Sequence, residues 1–93
     1  MNGESKISYD LKLMHSSRSH SKTVFIEVKS TRFADKNVFF FTPSEWTYAK
    51  QLGDSYHIYR VFNAGTPDAW IAIITNPSEK LEQREIGLCI ALP

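Results

Sequence analysis

The segment from Thr42 to Gly53 constrains the fold most, because it carries both a start and a stop signal for a helix. Thr42 is a residue type that caps helices, Pro43 suits the first helical position, and Glu45 completes a capping box. Gly53 readily takes the left-handed conformation in which many helices end. Apolar side chains recur at helical spacing between these signals, so we expect one amphipathic helix that packs on a sheet.

Three segments before this helix have the composition and periodicity of strands. Residues 7–14 alternate between apolar and polar side chains, residues 23–30 are rich in β-branched types, and residues 38–42 are apolar on both faces. Polar links at residues 15–22 and 32–37 join them, which predicts an antiparallel meander. Because the third strand has no polar face, we expect it to be central or covered.

The chain returns to strand character after the helix. Residues 56–62 and 69–75 predict a hairpin around the turn cluster at residues 63–68. The polar segment at residues 76–85 predicts one or two helical turns, and residues 86–92 predict a last strand. The order β-β-β-α-β-β-(α)-β indicates one α+β domain over residues 1–93, with a mixed, largely antiparallel sheet and one main helix packed on it.

Composition gives weaker guidance than the element pattern. The net charge of +1 favours no partner, but the first fifty residues hold eight Lys and Arg against five Asp and Glu. Nucleic acid is therefore a candidate partner. The lone Cys89 lies in an apolar run, which predicts a buried strand position and a reduced environment. With no membrane-spanning or signal segment, we expect a soluble, intracellular protein of the nucleus or cytoplasm, an organelle being the open alternative.

The triplet Glu27-Val28-Lys29 is the strongest candidate for a functional site. In a strand, Glu27 and Lys29 project from one face and Val28 from the other. The competing interpretation is alternating charge on the solvent face of a half-buried strand, which is common. Asp10, on the polar face of the first predicted strand, adds a second acid. Two carboxylates and the main-chain carbonyl of Val28 are enough protein ligands for Mg²⁺, and Lys29 then stabilises an attacked phosphate or orients a water.

Four segments together resemble a known family: Ser8-Tyr9-Asp10-Leu11, Ile26-Glu27-Val28-Lys29-Ser30-Thr31, Phe40-Phe41-Thr42-Pro43-Ser44-Glu45-Trp46 and Tyr56-His57-Ile58-Tyr59-Arg60-Val61. Their order and spacing are similar to those of the C-terminal domain of the plant protein NO VEIN and the related DUF3883 domains, a branch of the restriction-endonuclease-like PD-(D/E)xK superfamily. The resemblance implies a restriction-endonuclease-like core and an endonuclease dependent on Mg or Mn. It assigns metal binding to Asp10 and Glu27, and the role of the catalytic lysine to Lys29.

The sequence departs from the family pattern at its N-terminal side. Domains of this kind normally begin with a helix that packs on the sheet, whereas this chain begins just before the strand of Asp10. The resemblance therefore implies a domain truncated at its N-terminal side, with one sheet face left for a protein partner or a second copy. An inactive module that acts through protein-protein interaction is the alternative to an enzyme.

Glu45 and the three histidines are further candidates for the site. Glu45 is either a further acid of the site or only the partner in a capping box, and we favour the cap. His15, His20 and His57 lack the spacing of a zinc site, so we discount zinc.

Overall fold

The computed structural model describes residues 9–17 and 20–89. In these ranges it contains four strands, two α-helices and a short 3-10 turn after the first helix. The strands and helices are β1 (Leu11–Ser16), β2 (Ser21–Ser30), α1 (Pro43–Leu52), β3 (Tyr56–Phe62), β4 (Trp70–Thr75) and α2 (Pro77–Glu82). The strands form one sheet in the order β1-β2-β3-β4. The predicted α+β class, with a mixed sheet and one main helix, is confirmed.

The centre of the sheet is a parallel pair. β2 runs parallel to β3, whereas the two flanking pairs, β1 with β2 and β3 with β4, are antiparallel. A parallel pair needs a long crossover rather than a tight turn, and the segment at residues 31–55, which contains α1, supplies it. The predicted antiparallel meander of the first three strands is therefore wrong, because the chain leaves the sheet after β2 and returns in the same direction.

Local signals set the ends of α1. The Thr42 hydroxyl accepts from the backbone N–H of Glu45, and the Glu45 carboxylate accepts from the backbone N–H of Thr42, so the predicted capping box is confirmed. Gly53 follows the helix at φ 53°, a positive value that glycine adopts without the strain of a Cβ. The predicted hairpin of β3 and β4 and the short helix α2 are confirmed as well.

The core lies between α1 and one face of the sheet, which we call the inner face. Alternation along the strands places Phe25, Glu27 and Lys29 of β2 on this face, and the register aligns them with Tyr56, Ile58 and Arg60 of β3. The fully buried centre consists of Ala49 of α1 with Tyr56 and Ile58, and aromatic side chains pack around it. The face of the sheet opposite α1 is the outer face.

Residues 38–42 do not form the predicted strand. The Arg60 guanidinium donates to the carbonyl of Lys36 at 2.6 Å and to that of Val38 at 3.4 Å. A side chain thus satisfies backbone groups that a strand ladder would otherwise pair. Phe39 and Phe41 pack towards the core while Phe40 is 81% exposed, so the segment is apolar on both sides but covered on only one.

The two ends of the chain also differ from the predictions. The first strand covers Leu11–Ser16 rather than residues 7–14, and residues 7 and 8 lie outside the described part. Tyr9 comes before the strand and packs on Phe25 and Tyr48. Residues 86–89 form no strand, and Cys89 is exposed rather than buried, while residues 90–92 lie outside the described part.

Candidate site of acids and a lysine

Asp10 is fixed at the edge of β2 just before β1 begins. Its Oδ2 atom accepts a hydrogen bond of 2.7 Å from the backbone N–H of Val28, and its own N–H donates to the carbonyl of Ile26 at 2.8 Å. The N–H and C=O of one residue point to the same side of an extended strand. The main-chain carbonyl of Val28 therefore faces the edge at which the Asp10 carboxylate lies.

Glu27 and Lys29 share one face of β2, as the sequence predicts, but that face is not the solvent face. They lie on the inner face beneath α1, and Glu27 is only 7% exposed. The Lys29 ammonium lies 3.5 Å from Oε2 of Glu27. The competing interpretation of a solvated strand face is therefore wrong, because these two charges are largely removed from water.

Glu45 joins the cluster from the first turn of α1. Its two carboxylate oxygens lie 2.9 and 3.0 Å from the Lys29 ammonium, both within hydrogen-bond distance. The same residue closes the capping box with Thr42. The sequence posed the cap and the site as alternatives, and the structure gives Glu45 both contacts.

The pKa values of the two glutamates are shifted in opposite directions. Burial raises the pKa of Glu27 to about 7, with further contributions from a hydrogen bond shared with Glu45 and from the charges of Glu45 and Asp10. Lys29 acts in the opposite direction. Burial also acts to raise the pKa of Glu45, but hydrogen bonds from the Thr42 backbone and from Lys29 outweigh it, and the pKa of Glu45 is lowered.

The structure brings Asp10, Glu27, Lys29 and Glu45 to one edge of the helix-covered sheet. In the part of the chain that the structure describes, no three His, Cys, Asp or Glu side chains form a group that holds a metal ion. The candidate ligand set is therefore the one taken from the sequence, which has two acids, Asp10 and Glu27, and the carbonyl of Val28. Whether this set binds a metal stays a prediction.

Sequence reasoning missed Arg60, which is buried beside the cluster at 4% exposure. Its guanidinium lies between the rings of Phe39 and Phe62, with its carbon 5.1 and 5.3 Å from the ring centres, and it also donates to the carbonyl of Lys29 at 3.4 Å. The signal was present in the sequence. Along β3, Tyr56, Ile58, Arg60 and Phe62 alternate onto the inner face, so a charged residue occupies a position of the core register.

A model of one protein family, described as protein NO VEIN, C-terminal, matches residues 1–74. This chain belongs to the NO VEIN C-terminal family. The matched range contains all four residues of the acid and lysine cluster of this NO VEIN C-terminal domain, together with β1 to β3 and α1. No curated protein and no solved structure matched the chain. Neither helix of the described residues is long and apolar enough to cross a membrane.

Proposed function

We propose that this NO VEIN C-terminal domain is a nuclease of the PD-(D/E)xK type that hydrolyses phosphodiester bonds with Mg²⁺ or Mn²⁺. Asp10, Glu27 and the main-chain carbonyl of Val28 would hold the ion. The observation that carries the proposal is a partly buried cluster in which the Lys29 ammonium lies beside the carboxylates of Glu27 and Glu45, with the pKa of Glu27 raised to about 7.

The donor set fits such an ion. Carboxylate and carbonyl oxygens are the ligands that Mg²⁺ and Mn²⁺ prefer, and Mg²⁺ keeps several waters, so three protein ligands suffice. Burial, a hydrogen bond shared with Glu45 and the charges of Glu45 and Asp10 disfavour ionised Glu27, and a nearby cation would favour it. A bound divalent ion would supply Lewis-acid activation of a water and neutralise charge on the phosphate.

Lys29 has the second role in the proposal. Its ammonium lies beside Glu27, where it stabilises negative charge that develops on the attacked phosphate or orients the attacking water. Lysine suits this task because its ammonium is a compact point charge with three donors on a flexible stem.

The test is cleavage of plasmid DNA and of single-stranded RNA with Mg²⁺, with Mn²⁺ or with EDTA. We expect metal-dependent cleavage of one substrate, and at least a 100-fold loss in the Lys29→Met variant. Lys50→Met is the matched control, because Lys50 is exposed in the last turn of α1 and the substitution removes the same charge. Cleavage that survives Lys29→Met, or no cleavage by the wild-type domain, contradicts the proposal.

A thermal melt provides an independent test of metal binding. An ion that binds only the folded state at 100 times its Kd stabilises the domain by about 2.7 kcal/mol. We expect the melting temperature to rise with Mg²⁺ or Mn²⁺ in the wild-type domain and not in an Asp10→Ala, Glu27→Ala double variant. An equal rise in both proteins would mean that the ion binds elsewhere.

The outer face of the sheet favours a second candidate function, binding of a protein partner or a second copy. Ile26 at the centre of this face is 1% exposed. The apolar side chains of the two edge strands are about half exposed: Leu11 and Leu13 of β1, and Ile71 and Ile73 of β4. Large apolar side chains in such numbers on one face are typical of an interaction surface. An interaction through this face should survive the Asp10→Ala, Glu27→Ala double substitution and be lost in Ile73→Glu. Light scattering with size-exclusion chromatography detects the second copy, and a pull-down detects a partner.

A further inference from the structure

The contacts of Lys29 are unequal. Its ammonium lies 2.9 and 3.0 Å from the two oxygens of Glu45 but 3.5 Å from Glu27. Two hydrogen bonds to one carboxylate restrict the direction of the ammonium more than a single, longer ion pair does. Glu45 is therefore the main determinant of where the Lys29 ammonium lies.

Glu45 is itself held in place. Its Oε1 atom accepts a hydrogen bond of 2.8 Å from the backbone N–H of Thr42, and its own backbone N–H donates to the Thr42 hydroxyl at 3.1 Å. These contacts tie the carboxylate to the first turn of α1, where the helix dipole favours negative charge. A side chain fixed in this way holds its partner more precisely than a mobile surface acid does.

The capping box alone does not explain the contact with Lys29. A cap needs one oxygen of Glu45 to accept from the Thr42 N–H, and glutamine at this position serves as well. Lys29 reaches the carboxylate from β2, a separate element, and both side chains are less than one-fifth exposed. The long stem of lysine has many rotamers, so a fixed partner is what limits them.

We propose that Glu45 is a positioning residue of the site. Glu45 fixes the Lys29 ammonium beside Glu27 and links that ammonium to the first turn of α1. The role matters for catalysis only if the proposed nuclease activity is correct. In that case Glu45 acts through Lys29, and the negative charge of Glu45 raises kcat with little effect on KM. The positioning of Lys29 is a property of the domain with or without catalysis.

Glu45→Gln separates the two roles of Glu45, because the amide oxygen still accepts from the Thr42 N–H while the ion pair with Lys29 is lost. Glu79→Gln is the matched control. Glu79 occupies the third position of α2, where its backbone N–H donates to the Asn76 side chain, and it is exposed. Both variants are assayed well below their melting temperatures, so that both are folded when they are compared.

The first measurement is the proton-nitrogen NMR signal of the Lys29 ammonium, which needs no enzymatic activity. We expect this signal to shift or broaden in Glu45→Gln and to stay unchanged in Glu79→Gln. An unchanged signal in Glu45→Gln overturns the proposal. If the wild-type domain does not cleave nucleic acid, the proposed function fails while this measurement still decides whether Glu45 positions Lys29.

The second measurement is kinetic and applies if the domain cleaves. We expect kcat of Glu45→Gln to fall about 10-fold, with KM within twofold of wild type, and kcat of Glu79→Gln to stay unchanged. Because Glu45 acts through Lys29, the Glu45→Gln, Lys29→Met double variant should be no slower than Lys29→Met alone. A further 10-fold loss in the double variant, or an effect on KM alone, overturns the proposal.

Discussion

Replacement of Glu27 by glutamine tests the electrostatic description of the cluster. An ordinary glutamate ionises at a pKa of 4.5, whereas the folded domain raises the pKa of Glu27 to about 7. Between these two values the unfolded chain has lost the proton and the folded domain has kept it. The folded state therefore binds more protons in this window, and its stability falls as the pH rises from about 4.5 to about 7.

The size of the effect follows from the shift. Each unit of pKa difference corresponds to about 1.36 kcal/mol, so the difference for Glu27 amounts to about 3 kcal/mol across the window. Glu27 is well shielded, at 7% exposure, so solvent screening reduces this value only modestly. For a domain of this size, about 3 kcal/mol corresponds to roughly 12 to 24 °C in melting temperature.

The assay is urea unfolding at a series of pH values between 4.5 and 8, with the wild-type and Glu27→Gln domains measured together. Glutamine does not titrate, so the free energy of unfolding of Glu27→Gln minus that of the wild type should grow by about 3 kcal/mol as the pH rises. His57 acts in the opposite direction, because burial lowers its pKa and stability is lost as the pH falls through 6.5. That contribution is present in both proteins and cancels in the difference. Parallel curves would refute the reasoning.

Three further substitutions have expected effects on the free energy of unfolding, each measured by urea titration at pH 7. Asp10→Ala removes the side-chain acceptor of the Val28 N–H in an exposed contact and should cost about 0.5 to 1.5 kcal/mol, with a smaller loss in Asp10→Asn, which keeps an acceptor. Thr42→Ala removes the hydroxyl cap of α1 and should cost about 1 kcal/mol, and Thr42→Ser should restore most of it. Gly53→Ala places a Cβ at φ 53° and should cost about 1 to 3 kcal/mol. A loss below 0.3 kcal/mol in any of the three alanine variants contradicts the corresponding contact.

The parts of the fold that the sequence predicts correctly depend on local signals. The capping box at Thr42 and Glu45, together with the glycine stop at Gly53, lies within twelve residues of chain and fixes α1. The hairpin of β3 and β4 is set by the alternation of its strands and the turn cluster between them. Such signals need no knowledge of the rest of the molecule.

The errors concern contacts between distant parts of the chain. Residues 38–42 have the composition of a strand, but Arg60 binds the carbonyls of Lys36 and Val38, and β3 takes the place beside β2. Pairing of β2 with β3 depends on the crossover, which no short pattern specifies. The same limit applies to the site. Alternation predicts that Glu27 and Lys29 share a face, but the contact of Lys29 with Glu45 depends on how α1 docks against the sheet.

The parallel pair of β2 and β3 has a consequence for the order of folding. Each antiparallel hairpin joins residues that are near neighbours in the chain, whereas the parallel register joins Phe25 to Tyr56 and Ser30 to Val61. Closing that longer loop has the larger entropic cost. The two hairpins and α1 should therefore form before β2 pairs with β3. Asp10, Glu27, Lys29 and Glu45 all precede β3 in sequence. A nascent chain therefore carries every acid of the cluster before β3 emerges, and Glu27 is removed from water only when β3 and α1 have both docked against β2.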